Sequence, residues 1–305
     1  MDPPPLAWWR GQEASPKGAS VPGNCHIGCL RRSERRYGKR QLRLYCGKVN
    51  AAAHGHNRYW EVDTARGVAI ILMVLYHLVY DLDSFGSYDI QATSGFWLYF
   101  ADMIAAMFVF LAGLALTISF WRAKATRNSE VGLFPKFLKR GLVIFSWGML
   151  ITLVTFFLFP GQAIYFGILH LIGLSIPLAY PFLRLRLWNL VLGLLIVATG
   201  FYLLRNVAVD YPWLLWLGLQ WSGVISSDYR PLLPWFGVIL LGVFAGNLLY
   251  TGGARRFAIR DLSNLPLIRS LSFMGRHSLL IYLAHQPVLV ALLSALGIID
   301  LGLFG

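Results

Sequence analysis

Three histidines and an aspartate, His77, His170, His285 and Asp102, each interrupt a run of apolar residues. An ionisable side chain inside a bilayer is costly, and one that is retained normally faces a bundle interior or a wet cavity. Imidazole suits proton transfer near neutral pH and can carry a transient acyl group, and a neighbouring carboxylate can fix its tautomer. Four such groups at one depth would make a reaction centre. Any one of them alone would equally serve as an interhelical hydrogen-bond partner.

His77 belongs to a longer polar stripe. At about 100° per residue, with Asp63 at 0°, Arg66 falls near 300°, His77 near 320° and Asp81 back near 0°. The four share a sector of roughly 60° over about 27 Å of helix axis. The remaining faces are Val, Ile and Leu, so the stripe is expected to face the protein interior. Asp63 and Arg66 sit at the opposite end of the helix from His77, where they would form an ion pair or hold Arg66 towards a ligand.

These groups need apolar helices to position them. The chain has 305 residues, of which 57% are hydrophobic, 15% aromatic and only 13% charged, and its mean hydropathy is +0.58. A soluble domain carries about 25% charged residues. The fold class is therefore all-α, a polytopic membrane helical bundle. Seven spans are expected, at 64–83, 96–120, 139–159, 164–183, 188–205, 232–250 and 277–296. Pro160 with Gly161, Pro181, and Gly252 with Gly253 punctuate them. Residues 206–231, with Trp213, Trp216 and Trp221, suggest a short interfacial or re-entrant helix.

Basic residues orient the bundle. Placing the N-terminus inside puts thirteen loop bases on the inner side, among them Arg122, Lys136, Lys139, Arg140, Arg255 and Arg276, against Arg205 and Arg230 outside. The C-terminus is then outside. His77, Asp102 and His170 each fall about seven residues from the outer end of a span, roughly 10 Å deep. His285 lies in the middle to outer part of the last span. No internal repeat is visible, which argues against inverted-repeat transporters.

Residues 1–57 form a separate segment that is expected to be a basic, disordered tail, with the membrane domain at 58–305. Residues 1–58 hold 11 of the 27 Lys and Arg against three acids, a balance of +8. Beside a membrane domain this charge suits the inner leaflet rather than nucleic acid. Cys25, His26, Cys29 and Cys46 show no four-ligand zinc spacing, so no metal is expected. No secretory signal pattern opens the chain.

Several motifs carry a family resemblance. Glu61-Val62-Asp63-Thr64-Ala65-Arg66-Gly67 with Met73 and His77-Leu78-Val79-Tyr80-Asp81 resembles the opening helix of transmembrane acyltransferases. Phe166 to Gly173, Leu233-Pro234-Trp235-Phe236-Gly237 and Gly275 to Pro287 extend the similarity over residues 58–297. The closest resemblance is to the heparan-alpha-glucosaminide N-acetyltransferase catalytic-domain family in its short prokaryotic form. The first and last motifs are also similar to the broader acyltransferase-3 group. One departure is that the heparan-acetylating enzymes are thought to use a histidine after their first conserved helix, whereas Asp83 to Gly95 contains none.

The resemblance implies transfer of an acetyl or other acyl group from cytosolic acyl-CoA to an amine or hydroxyl of a sugar or lipid-linked acceptor on the other side. Acyl-CoA would be a co-substrate, with no permanently bound cofactor. Arg66, Arg140, Arg276 and His277 are the expected contacts to CoA phosphates, although His277 would equally cap a helix. His77 would take the acceptor proton, with Asp102 or Asp81 fixing its tautomer. His170 or His285 would polarise the thioester or hold the acyl group. His285, before Gln286-Pro287, would alternatively satisfy backbone groups at a kink. A proton-coupled transporter using the same His and Asp residues as a relay is the chief alternative, and a non-catalytic scaffold is another.

Overall fold

The protein is seen as a computed structural model that describes residues 58–86, 88–127, 132–158, 163–207, 212–219, 228–250, 252 and 254–299. The basic tail with its three cysteines lies outside the described residues, as do Pro160, Gly161, Asp210, Trp221 and Gly253. The described residues form helices α1 (Trp60–Phe85), α2 (Gly95–Arg127), α3 (Leu133–Leu158), α4 (Ile168–Ala179) and α5 (Trp188–Asn206), then α6 (Leu232–Leu249), α7 (Pro266–Arg276) and α8 (Ser278–Ala295), with no strand among them. Short 3₁₀ segments cover Tyr180–Arg184 and Pro212–Leu217.

Helices α1, α2, α3, α6 and α8 are long and apolar enough to cross a membrane. The fourth and fifth expected spans appear as shorter apolar helices, α4 with its 3₁₀ extension and α5. Proline explains where α4 tightens. Pro181 stands at the start of the 3₁₀ turn, and its ring nitrogen has no proton for an α-helical bond. Outward-facing Leu142, Leu150 and Phe157 on α3, Leu195 on α5 and Leu280 on α8 are exposed apolar residues that suit lipid. The chain is an integral multi-pass membrane protein.

Two helices run past the apolar windows that define them in the sequence. α2 continues beyond residue 120 to Arg127, and α3 begins at Leu133 rather than 139. Ala, Lys and Arg are good helix formers, so the helix persists where hydropathy falls. These extensions carry Arg122 and Lys136 on ordered helical turns. The described part of the Trp-rich segment holds a short 3₁₀ helix, Pro212–Leu217, with Trp213 and Trp216 exposed.

Helix α7 occupies what reads in the sequence as a basic loop. It starts with Pro266 in its first turn and is strongly amphipathic. It packs on the first half of α1, where Thr64 Oγ1 and Ser272 Oγ share a 2.8 Å hydrogen bond. Small residues allow the close approach: a Cβ at Gly275 would collide with the Asp63 carbonyl, and one at Gly67 with the Leu271 carbonyl. Gly275→Ala is therefore expected to destabilise the protein by about 1–3 kcal/mol, as overpacked interfaces do. An unchanged thermal midpoint in detergent would refute this packing account.

The packing divides the helices into groups. α1 packs with α7 and α8, and α3 with α4, while α6 pairs with both α2 and α5. α1 also meets α2, and α4 meets α2 and α6. The main apolar core lies between α2, α3, α4 and α6 and includes Phe120, Phe137, Leu171, Phe236 and Leu240. That leaves the space between the α1–α7–α8 group and the α3–α4 group for a cavity.

Candidate active site

A cavity of about 980 Å³ fills this space. Its basic end is lined by Arg58, Arg66, Arg122, Lys136, Lys139, Arg140 and Arg276, against the single carboxylate of Asp63. α2 lines it from Phe108 to Thr126, about 27 Å at 1.5 Å per residue. Small side chains, Ala112, Ala115, Ser119 and Ala123, keep that wall low. Apolar Ile168, Leu169 and Ile172 of α4 face the same space, and Tyr282 of α8 also borders it. The result is a long slot, cationic at one end and apolar along its walls.

The expected CoA contacts are thus partly assembled. Arg66, Arg140 and Arg276 all border the cavity, whereas His277 does not. His277 instead sits exposed at the junction of α7 and α8, where its Nδ1 bonds the Phe273 carbonyl at 2.9 Å. Asp63 and Arg66 form no ion pair among the described residues, so the Arg66 guanidinium is not neutralised by a contact partner. The N-terminal end of α1 is pinned by a different acid: Glu61 accepts from Arg255 Nη2 at 2.7 Å and from the Tyr250 hydroxyl at 3.0 Å.

Past Tyr282 lies a polar centre. The rings of His77 and His285 meet edge to face with centroids 4.6 Å apart. His77 Nδ1 donates to the Met73 carbonyl at 2.9 Å, and His285 Nδ1 donates to the Tyr282 carbonyl at 2.6 Å. Backbone carbonyls therefore fix both tautomers, leaving each neutral ring a lone pair on Nε2. Neither Asp81 nor Asp102 orients His77, contrary to the expectation. Asp81 is fully buried and accepts from Gln286 Nε2 at 2.5 Å, tying α1 to α8 beside the histidine pair. The His285 Nε2, Asp81 Oδ2 and Gln286 Oε1 atoms are buried without a partner among the described residues.

Asp102 belongs to a second cluster. Arg230 Nη1 donates to Asp102 Oδ1 at 2.8 Å, and Arg230 Nε lies 3.6 Å from Asp228 Oδ1. The guanidinium also lies over the Trp235 ring, 5.1 Å from its centroid. Asp228 Oδ2 accepts from the Ile168 N–H at 3.3 Å and from the Tyr282 hydroxyl at 3.5 Å. The segment before α6 therefore holds α2, the start of α4 and α8 through two side chains. Next to them, Tyr229 donates to the Leu215 carbonyl at 2.6 Å, and burial pushes its hydroxyl up to about 12.

His170 is buried apart from the His77–His285 contact. The Gly167 N–H donates to its Nδ1 at 3.2 Å, so Nε2 carries the proton and donates to Thr152 Oγ1 at 3.3 Å. Thr152 Oγ1 in turn donates to the Ile164 carbonyl at 2.5 Å. Phe166 stacks on the ring and Gly148 makes room for it. This geometry caps the start of α4 and uses both ring nitrogens.

Of the catalytic candidates, the fold brings His77, His285 and Asp81 together and sets Asp102 beside Arg230. Asp228, Arg230, Tyr282 and Gln286 complete the centre, and the sequence does not single them out for it. The only signals available were an aspartate and an arginine at the end of a long loop, and polar residues within the last motif.

A family profile described as heparan-alpha-glucosaminide N-acetyltransferase, catalytic, matches residues 58–287. The chain belongs to this family. The match spans α1 to the first half of α8, so it includes the cavity, the histidine pair and the Arg230 cluster. As a member of the heparan-alpha-glucosaminide N-acetyltransferase catalytic family with several membrane-crossing helices, the protein is a transmembrane acetyltransferase. Neither curated proteins nor solved structures yield a match.

Proposed function

We propose that this acetyltransferase takes its acyl group from acyl-CoA, with acetyl-CoA as the natural donor, entering the basic end of the cavity from the cytosol. One observation carries the reading: a slot with seven basic residues at one end is also bordered, between apolar walls, by Tyr282, whose ring lies 5.6 Å from that of His285. CoA has the matching form. Its phosphates suit the guanidinium and ammonium groups, and its pantetheine arm suits the Ala- and Ile-lined walls. The excess of bases on one side makes that end cytosolic, with the N-terminus inside and the C-terminus outside.

At the far end, His77 removes a proton from the attacking amine or hydroxyl. Its Nε2 makes no hydrogen bond among the described residues and its tautomer leaves a lone pair there. His285 lies in ring contact and can share the charge that develops. The acceptor is a sugar or lipid-linked molecule that reaches His77 from the extracytoplasmic side, past Asp102 and Arg230. His170 serves the fold of α4 and the 163–168 segment.

Neutralising the basic end tests this directly. Combining Arg66→Ala, Lys139→Ala and Arg140→Ala should weaken acetyl-CoA binding by about 100-fold or more, since each lost charge-assisted contact is worth around 1 kcal/mol or more. Calorimetry on purified protein measures it. Unchanged affinity would eliminate the cavity as the donor site. A transporter using the His and Asp residues as a relay would release no free CoA, and a scaffold would not bind acetyl-CoA.

A further inference from the structure

Helix α8 turns one face towards the cavity, with Ser278, Leu279 and Tyr282 on it. Tyr282 is the last of these, one helical turn before His285. Its ring lies 5.6 Å from the His285 ring, its carbonyl orients His285, and its hydroxyl donates to Asp228. Among the described residues it is the only cavity-lining side chain that hydrogen-bonds into the polar centre. An acyl group carried to the inner limit of the slot would meet this hydroxyl.

The centre has a shortage of donors that a thioester would expose. His77 and His285 spend their Nδ1 protons on backbone carbonyls, so in the neutral state their Nε2 atoms can only accept. His170 spends its Nε2 proton on Thr152. Arg230 has N–H groups to spare, its Nε among them, but it is tied to Asp102 and Asp228 and does not line the cavity. The Tyr282 hydroxyl remains, and its bond to Asp228 is 3.5 Å, long enough to exchange at little cost. Asp228 Oδ2 keeps the Ile168 N–H when the hydroxyl turns away.

We propose that Tyr282 is a catalytic residue whose hydroxyl hydrogen-bonds the thioester carbonyl oxygen of the donor, with Asp228 parking the hydroxyl until the donor arrives. This rests on acyl-CoA occupying the cavity. The acceptor nitrogen or oxygen forms a bond to the carbonyl carbon, and the carbonyl π pair moves to oxygen, where the Tyr282 O–H stabilises it. The pair returns as the C–S bond breaks, and the thiolate leaves with that bond's electrons. The proton taken by the histidine neutralises the thiolate, so Tyr282 ends as it began, protonated.

Isotope-edited infrared spectroscopy of acetyl-CoA labelled with ¹³C at the thioester carbonyl reads this bond without needing an acceptor. In wild-type protein the carbonyl band should lie at lower frequency than in free acetyl-CoA. Tyr282→Phe keeps the ring packing and should bind acetyl-CoA within about twofold of wild type while losing most of that shift. An equal shift in both proteins overturns the assignment, as does loss of binding in Tyr282→Phe alone, which would make the hydroxyl an anchor. If Tyr282→Phe fails to accumulate, 3-fluorotyrosine at position 282, a more acidic phenol, must enlarge the shift; no change overturns the proposal. Absence of acetyl-CoA binding to wild-type protein would instead remove the donor reading on which the proposal stands.

Discussion

His77→Ala is expected to reduce acetyl transfer by about 10²–10⁴-fold, the range a positioned general base contributes. The protein should still fold, because the only hydrogen bond lost among the described residues is one from Nδ1 to the Met73 carbonyl within the same helix. The neighbouring His285, with its ring 4.6 Å away, will hold the loss towards the lower end of that range. The pair His77→Ala with His285→Ala should reach the upper end and lose more than the two single losses combined, because each histidine then lacks the neighbour that covers for it. Release of free CoA from acetyl-CoA by the purified protein, with glucosamine as acceptor probe, is the measurement, and wild-type turnover in His77→Ala would sink the assignment.

Arg230→Ala should have the largest effect on stability. It strands two carboxylates that the guanidinium now holds, Asp102 at 2.8 Å and Asp228 at 3.6 Å. Breaking a fully buried pair by removing one partner costs about 3–5 kcal/mol. The Asp102 side chain is 43% exposed, so part of its charge is already solvated. A loss of about 2–3 kcal/mol is the appropriate expectation here. Adding Asp102→Asn to Arg230→Ala should recover part of it. A thermal midpoint within a degree of wild type for Arg230→Ala would show that the cluster does not hold α2 to the segment before α6.

The opening helix was the most legible part of the fold. Helical phase alone placed Arg66, His77 and Asp81 on one face, and all three face inward in the structure, Arg66 to the cavity, His77 to His285 and Asp81 to Gln286. The partners of these residues were less legible. Asp228 and Arg230 sit in a segment without apolar periodicity, and only tertiary folding brings them 54 and 128 positions along the chain to Tyr282 and Asp102. His170 looked like a reactive group because burial of an imidazole gives the same sequence signal whether or not its nitrogens are satisfied. Its partners, a backbone N–H three residues earlier and a threonine on another helix, carry no sequence signature. α7 was hidden for a related reason: eleven residues of amphipathic helix within a basic loop have neither the length nor the hydropathy of a span.

The way the helices group has a mechanical consequence. α1 with α7 and α8 forms one leaf and α3 with α4 another, and the slot runs along the split between them. The cationic side chains at its mouth come from both leaves, Arg66 and Arg276 from one, Lys136, Lys139 and Arg140 from the other. With no counter-charge between them, these like charges repel across the slot. Under the proposed reading, the phosphates of the donor would bridge these charges, so the substrate itself would be the clasp that favours closing the site.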